Sequence, residues 1–376
     1  MTRWTARAGV ALLSAAVVLI LAEVLLPLIL TLEQPTLRYD ALLGFRGRPH
    51  LDIAWSREME GAERRVRTNR LGFHDHERDM APSPGTRRIL FLGDSFLEAY
   101  QAGIDENFSQ RLARNLARGG QVKVEALNWG VHGYGLGSHF LSVRDHVADW
   151  RPDTVVLVLF LGNDLQDNYA PLASASVPRF EVVADSLVYS PAPPYTLRFW
   201  LRDNVLARSA TARLVWMYGV KSRPEIAAVA RGAGLIASPE SRTTDDHLAG
   251  MTALARRLLD GIATHLRQQR IRLFVYLIPD PLLVRDVIDI RRHRRDPGAP
   301  VPVYRRDRAF IESRVLDALA QLRIDHVHPR ERFIEHIEEG REIYRGGYGH
   351  FTTLGHQLSA QLLAAPLASN LAAGDR

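Results

Sequence analysis

The chain contains no cysteine, and among its 376 residues the only lysines are Lys123 and Lys221. The first absence excludes disulfides, thiolate metal sites and a cysteine nucleophile, without choosing a compartment. The second makes the formal net charge of +6 almost entirely arginine. That skew reads as compositional bias, and no nucleic-acid partner is expected. Acidic residues are interspersed, and only Arg291–Arg295 (RRHRR) clusters tightly. It reads as a solvated loop, with a patch for an anionic surface as the alternative. Disorder is excluded as well, because 46% apolar and 24% charged residues are ordinary values for a globular chain. The length suits one large domain or two modest ones.

What is present begins with one long apolar run, GVALLSAAVVLILAEVLLPLILT, residues 9–31. As a helix it is long enough to cross a bilayer core of about 30 Å. Arg3 and Arg7 precede it, and no A-x-A-like cleavage site follows. The expectation is an uncleaved signal anchor with residues 1–8 as a cytoplasmic tail. The protein is then single-pass in the inner membrane, with its domain on the periplasmic side. Within the span, an ionised Glu23 costs about 2.5–3.5 kcal/mol on insertion scales, and Pro27 is expected to kink the outer part.

Residues 32–85 read as a lead-in rich in turn signals and ending in APSPG. From there short apolar runs alternate with amphipathic stretches: strands at Ile89–Leu92, Val122–Leu127, Thr154–Gly162, Ile271–Ile278 and Ile324–Val327, with helices between them. The nearly unbroken TVVLVLFLG is the pattern of a parallel strand covered on both faces. Residues 170–245 interrupt the rhythm and read as an insertion within a domain spanning 86–370. The expected fold is α/β, a three-layer α/β/α doubly wound, flavodoxin-like arrangement around a mostly parallel sheet.

Four stretches fall at strand ends, where loops converge in such a sheet. In GDSF, Ser95 stands after a strand as either a nucleophile on a sharp turn or, with Asp94, a helix cap. In LNWGVHGYG, Gly133 offers an exposed N–H or a plain turn. In LGNDL, Asn163 offers a neutral amide donor suited to an oxyanion, or an Asx turn. In GGYGHFTTLGH, His350 sits in a glycine-rich loop as a candidate general base, whereas His356 falls inside the last helix.

Taken together, these blocks resemble the SGNH hydrolases, the GDSL lipase/esterase family, over about Arg87–Leu367. The upstream TNRLGF and the apolar run are similar to a membrane-anchored bacterial branch. The resemblance implies Ser95 as nucleophile and His350 as base. It also implies an oxyanion hole from the Ser95 and Gly133 N–H groups and the Asn163 amide. The family places an aspartate two or three residues before the histidine, where this chain has Tyr348 and Gly347. The orienting group is therefore a backbone carbonyl, Tyr348 or an acid from elsewhere, or the pair works as a dyad.

The expected function is a membrane-anchored serine esterase without metal or cofactor. Its substrate is an ester-bearing small molecule, a lipid or an acylated glycan. An acyltransferase and an inactive binding protein of the same fold are the alternatives. The YTLRFW stretch, Tyr195–Trp200, reads as a cover for the acyl pocket or as a plug holding the insertion down.

Overall fold

A computed structural model describes residues 3–30, 32–59, 62–119, 123–223, 226, 244–295, 306–347 and 349–372. It divides into two compact units: Leu42–Ala192 with Ser241–Arg376, and Met1–Ala41 with Pro193–Glu240.

The larger unit is built on five strands, β1 (Thr86–Gly93), β2 (Lys123–Gly130), β3 (Thr154–Phe160), β4 (Arg272–Ile278) and β5 (Asp325–Val327). All pair in parallel in the order β5-β4-β3-β1-β2. Read from the other edge this is 2-1-3-4-5, the flavodoxin-like doubly wound order. β3 is buried along its length except at Phe160, because helices cover both faces.

The helices of this unit are α1 (Ser95–Glu98), α2 (Phe108–Gly119), α3 (Leu136–Asp145), α4 (Asp245–Gln268), α5 (Pro281–Arg295), α6 (Arg306–Gln321), α7 (Arg330–Glu338) and α8 (Thr353–Ala372). α2 shows why such segments become helices. Asn107 caps it, its Oδ1 accepting from the Ser109 N–H at 2.9 Å. Phe108 and Leu112 are buried one turn apart while Arg114 and Arg118 face water. α2 and α8 pack together, and their side chains join Ile89, Phe91, Val156, Val158 and Tyr276 in one core. α3 packs on α4, and α4 on α6.

β1 starts earlier than expected, at Thr86, and β3 ends at Phe160, short of Gly162; two further departures change how a stretch is read. β2 runs on through Asn128–Gly130, beyond the expected end at Leu127. Asn128 fits there because its backbone N–H meets Asp75 Oδ2 at 3.0 Å and its amide meets the Leu97 carbonyl at 2.9 Å. Gly130 fits because a Cβ there would lie 2.2 Å from the Glu98 nitrogen. The RRHRR cluster, expected in a loop, closes helix α5. Proline at its first position and arginine's good helix propensity explain the extension.

The lead-in is docked, not loose, from Leu42 onward. Asp52–Trp55 and Arg64–Arg67 form an antiparallel hairpin. Its residues Ile53 and Val66 bury with Leu51 and Tyr100. Further along, the buried guanidinium of Arg88 donates to the Asp79, Met80 and Trp150 carbonyls and to Glu125.

Candidate active site

The β1–α1 turn puts Ser95 at the first position of a helix, with Asp94 as the cap. The Asp94 carboxylate accepts from the Phe96 N–H at 2.9 Å. Capping is thus done by Asp94, which leaves the serine hydroxyl available. The Ser95 hydroxyl lies 2.8 Å from His350 Nε2 and 3.3 Å from Asp94 Oδ2. α1 is only one turn long, and its backbone runs so close to β2 that glycine is required at Gly130.

His350 comes from the loop before α8. The Arg345 N–H donates to the His350 carbonyl at 2.8 Å, and Tyr344 and Phe351 form an antiparallel bridge. The ring of Phe96 lies 4.9 Å from the imidazole. His356 is elsewhere: buried in α8, it accepts from the Phe108 N–H, and burial lowers its pKa to about 3. It is neutral, and its Nδ1 is taken by the backbone of α2.

The acid that local spacing does not supply arrives from the lead-in. Glu58, between the two hairpin strands, has its carboxylate oxygens 2.9 and 3.0 Å from His350 Nδ1. The same carboxylate accepts from the His350 backbone N–H at 3.0 Å. Burial raises the Glu58 pKa, but the hydrogen bonds and charge of His350, with Arg345 beyond, more than offset it, and the net shift is downward. Glu58 therefore stays ionised and faces Nδ1–H, which leaves Nε2 to accept from Ser95. Sequence reasoning missed this residue because 292 positions separate it from His350. SREME carries no motif, and only the third dimension joins the two. Tyr348, the local candidate, lies outside the described residues.

Gln101 also approaches Nδ1, its Nε2 at 3.1 Å, while its Oε1 is buried without a partner. Two donors cannot share that contact. With Oε1 turned toward the ring, the Gln101 amide accepts from the same Nδ1–H.

Gly133 and Asn163 leave the sheet on either side of Ser95, because β2 and β3 are the two neighbours of β1. Gly133 has φ +78°, a conformation that favours glycine. The residue before it, His132, is held to Glu98 of α1 by a 2.7 Å contact, so the turn is tied to the serine's helix. Asn163 does not close its strand end by an Asx turn. The strand end is tied instead by Asp164, which accepts from the Phe160 N–H four residues earlier at 2.8 Å. One Asn163 amide hydrogen meets Asp167 at 2.5 Å, and the amide carries a second.

No protein-family model and no curated protein matches the chain. Solved structures similar to it include the lipase/acylhydrolase from Enterococcus faecalis, at 12% identity over 76% of this chain and 96% of that one, TM-score 0.41. Another is the acetyl xylan esterase AlAXEase, at 14% identity over 73% and 97%, TM-score 0.40. A third is an acetyl xylan esterase from Geobacillus stearothermophilus, at 12% identity over 76% and 95%, TM-score 0.40. Likenesses of this size assign neither family nor activity, and the chemistry rests on the residues themselves.

Proposed function

We propose that this chain is a membrane-tethered serine esterase of the SGNH type, with Ser95, His350 and Glu58 as its triad. The observation that carries the reading is the continuous chain from Ser95 Oγ to His350 Nε2 and from Nδ1 to Glu58. Such a chain is what a weak hydroxyl nucleophile needs.

In this reading Ser95 Oγ attacks the acyl carbonyl as its proton passes to His350 Nε2, while ionised Glu58 stabilises the imidazolium. The ester C–O bond breaks and the leaving alcohol takes the proton from Nε2. A water molecule, deprotonated in turn by His350, releases the carboxylic acid and restores Ser95. Negative charge on the tetrahedral oxygen meets the Ser95 N–H, which as a first-turn amide lacks an intrahelical acceptor. The Gly133 N–H and the Asn163 amide complete the donor set. The substrate class is a carboxylic ester on a small molecule, a lipid or an acylated glycan. The apolar N-terminal helix serves as anchor and keeps the domain at the inner-membrane surface on the periplasmic side.

The test is covalent labelling of the detergent-solubilised full chain with a serine-reactive fluorophosphonate, alongside p-nitrophenyl acetate turnover. Wild type is expected to label and turn over, S95A to do neither, and H350A to lose at least about 10³-fold in labelling rate. Wild type that neither labels nor turns over sinks the proposal.

A further inference from the structure

The smaller unit holds a carboxylate where an apolar helix is least able to carry one. Its helix Arg3–Ile29 includes Arg7–Ile29, long and apolar enough to cross a bilayer. Glu23 lies about 9 Å along the axis from its Ile29 end. Yet Glu23 is fully engaged. The Ser209 hydroxyl donates to Oε1 at 2.5 Å, the Ala210 N–H to Oε2 at 2.7 Å, and the Thr211 N–H to Oε1 at 3.2 Å. The buried Arg213 guanidinium is near enough to interact with it electrostatically. Hydrogen bonds of this length place the 209–211 turn at the same depth as Glu23.

Independently, the segment around that turn shows apolar side chains to its surroundings. Leu197, Trp200, Val215 and Tyr218 are 47–66% exposed. The segment has an inner side as well: Phe199 is buried, its ring 4.9 Å from Tyr39, and the Tyr39 N–H donates to Asp203. Exposed Trp and Tyr beside Arg198, Arg202 and Arg208 is the composition of a membrane interface, where rings sit at headgroup level and cations meet anionic lipid.

We propose that residues 193–222 form a lipid-embedded clasp. They seat in the bilayer on the side where the domain lies, locked to the anchor through Glu23, with Leu197, Trp200, Val215 and Tyr218 among the lipids. The proposal rests on reading residues 9–31 as an anchor. It explains why a carboxylate sits within the span: satisfied by three donors, it fixes the clasp instead of opposing insertion. It also gives the Tyr195–Trp200 stretch a task other than covering an acyl pocket. Phe199 packs inward and Trp200 outward to lipid.

The absence of cysteine makes the experiment clean. The full chain is reconstituted in phosphatidylcholine–phosphatidylglycerol vesicles with a single nitroxide at Val18→Cys, Leu197→Cys, Val215→Cys or Asp317→Cys. Collision with oxygen is compared with collision with a water-soluble nickel chelate. Oxygen is expected to dominate at positions 18, 197 and 215, and nickel at 317. Water-like values at 197 and 215 with a lipid-like value at 18 overturn the clasp and leave the anchor standing. A water-like value at 18 overturns the anchor, and the clasp with it. Adding Glu23→Leu is expected to shift the position-215 label toward nickel while position 18 stays in lipid. An unchanged position-215 label overturns the locking role of Glu23.

Discussion

At the scale of single residues, the site turns on one proton. His350 Nδ1 faces two Glu58 oxygens and a reversible Gln101 amide, and the ionised carboxylate selects the tautomer that leaves Nε2 free for Ser95. Glu58→Gln removes that selection while keeping the shape. It is expected to lower kcat by about 10³–10⁴ with little change in KM, as amide replacement does in a reference triad. Steady-state kinetics on a p-nitrophenyl ester checks this, and a kcat within a few-fold of wild type means that Ser95 and His350 act as a dyad. Glu58 also has φ +57°, unusual for a residue with a side chain. A conformation of this kind costs about 1–3 kcal/mol and persists where surrounding contacts over-determine it. Here the backbone N–H and the Nδ1–H of His350, both held by the Glu58 carboxylate, do so.

At the scale of elements, the proposed acid Glu58 is carried by a hairpin, Ser95 by the β1–α1 turn and His350 by the loop before α8. The hairpin's apolar contacts are few: Ile53 and Val66 with Leu51, Tyr100 and the edge of Trp55. A small element with so little buried area opens more readily than β1–β3 at the centre of the unit. Ile53→Ala is expected to cost about 2–4 kcal/mol locally and to pull kcat down toward the Glu58→Gln level. Hydrogen exchange should accelerate across residues 52–67 while β1 and β3 amides stay protected. Uniform acceleration across the unit contradicts a separable hairpin. The short α1 plays the opposite part. Wedged against Gly130 and held by Asp94, Asn107 and Asn128, it has little freedom to move Ser95.

At the scale of the whole molecule, buried carboxyl groups set how stability responds to pH. Burial pushes Asp94 up to about 6, and burial together with Asp94 and Asp167 pushes Asp164 well above the usual carboxylate range. The folded state therefore holds a proton on Asp164 that the unfolded chain releases near pH 4. Its stabilising contribution is complete below that pH and is lost as pH rises toward the folded-state value. The slope is about 1.4 kcal/mol per pH unit. Asp164→Asn keeps an acceptor for the Phe160 N–H and removes the titration. Urea unfolding across pH 4 to 7 should show the variant gaining on wild type as pH rises above 4, and parallel profiles would contradict a protonated Asp164.

The sequence by itself determined the sheet and the anchor-length helix, because both are written in local periodicity. TVVLVLFLG can bury both faces only as a central strand, and NFSQRLARNLAR has one apolar side. It also singled out Ser95 and His350, since glycine-rich loops at strand ends are visible before they fold. The reach of β2 to Gly130 was not legible, because it depends on how closely α1 approaches. Glu58 was not legible either: its task depends on a loop closed across nearly the full chain, and no local pattern records a contact made at that separation. Glu23 shows the same division. In the sequence it is a costly charge in an apolar run, and only the tertiary structure supplies Ser209, Ala210 and Thr211 to donate to it, since hydrogen-bond partners are chosen by distance in space.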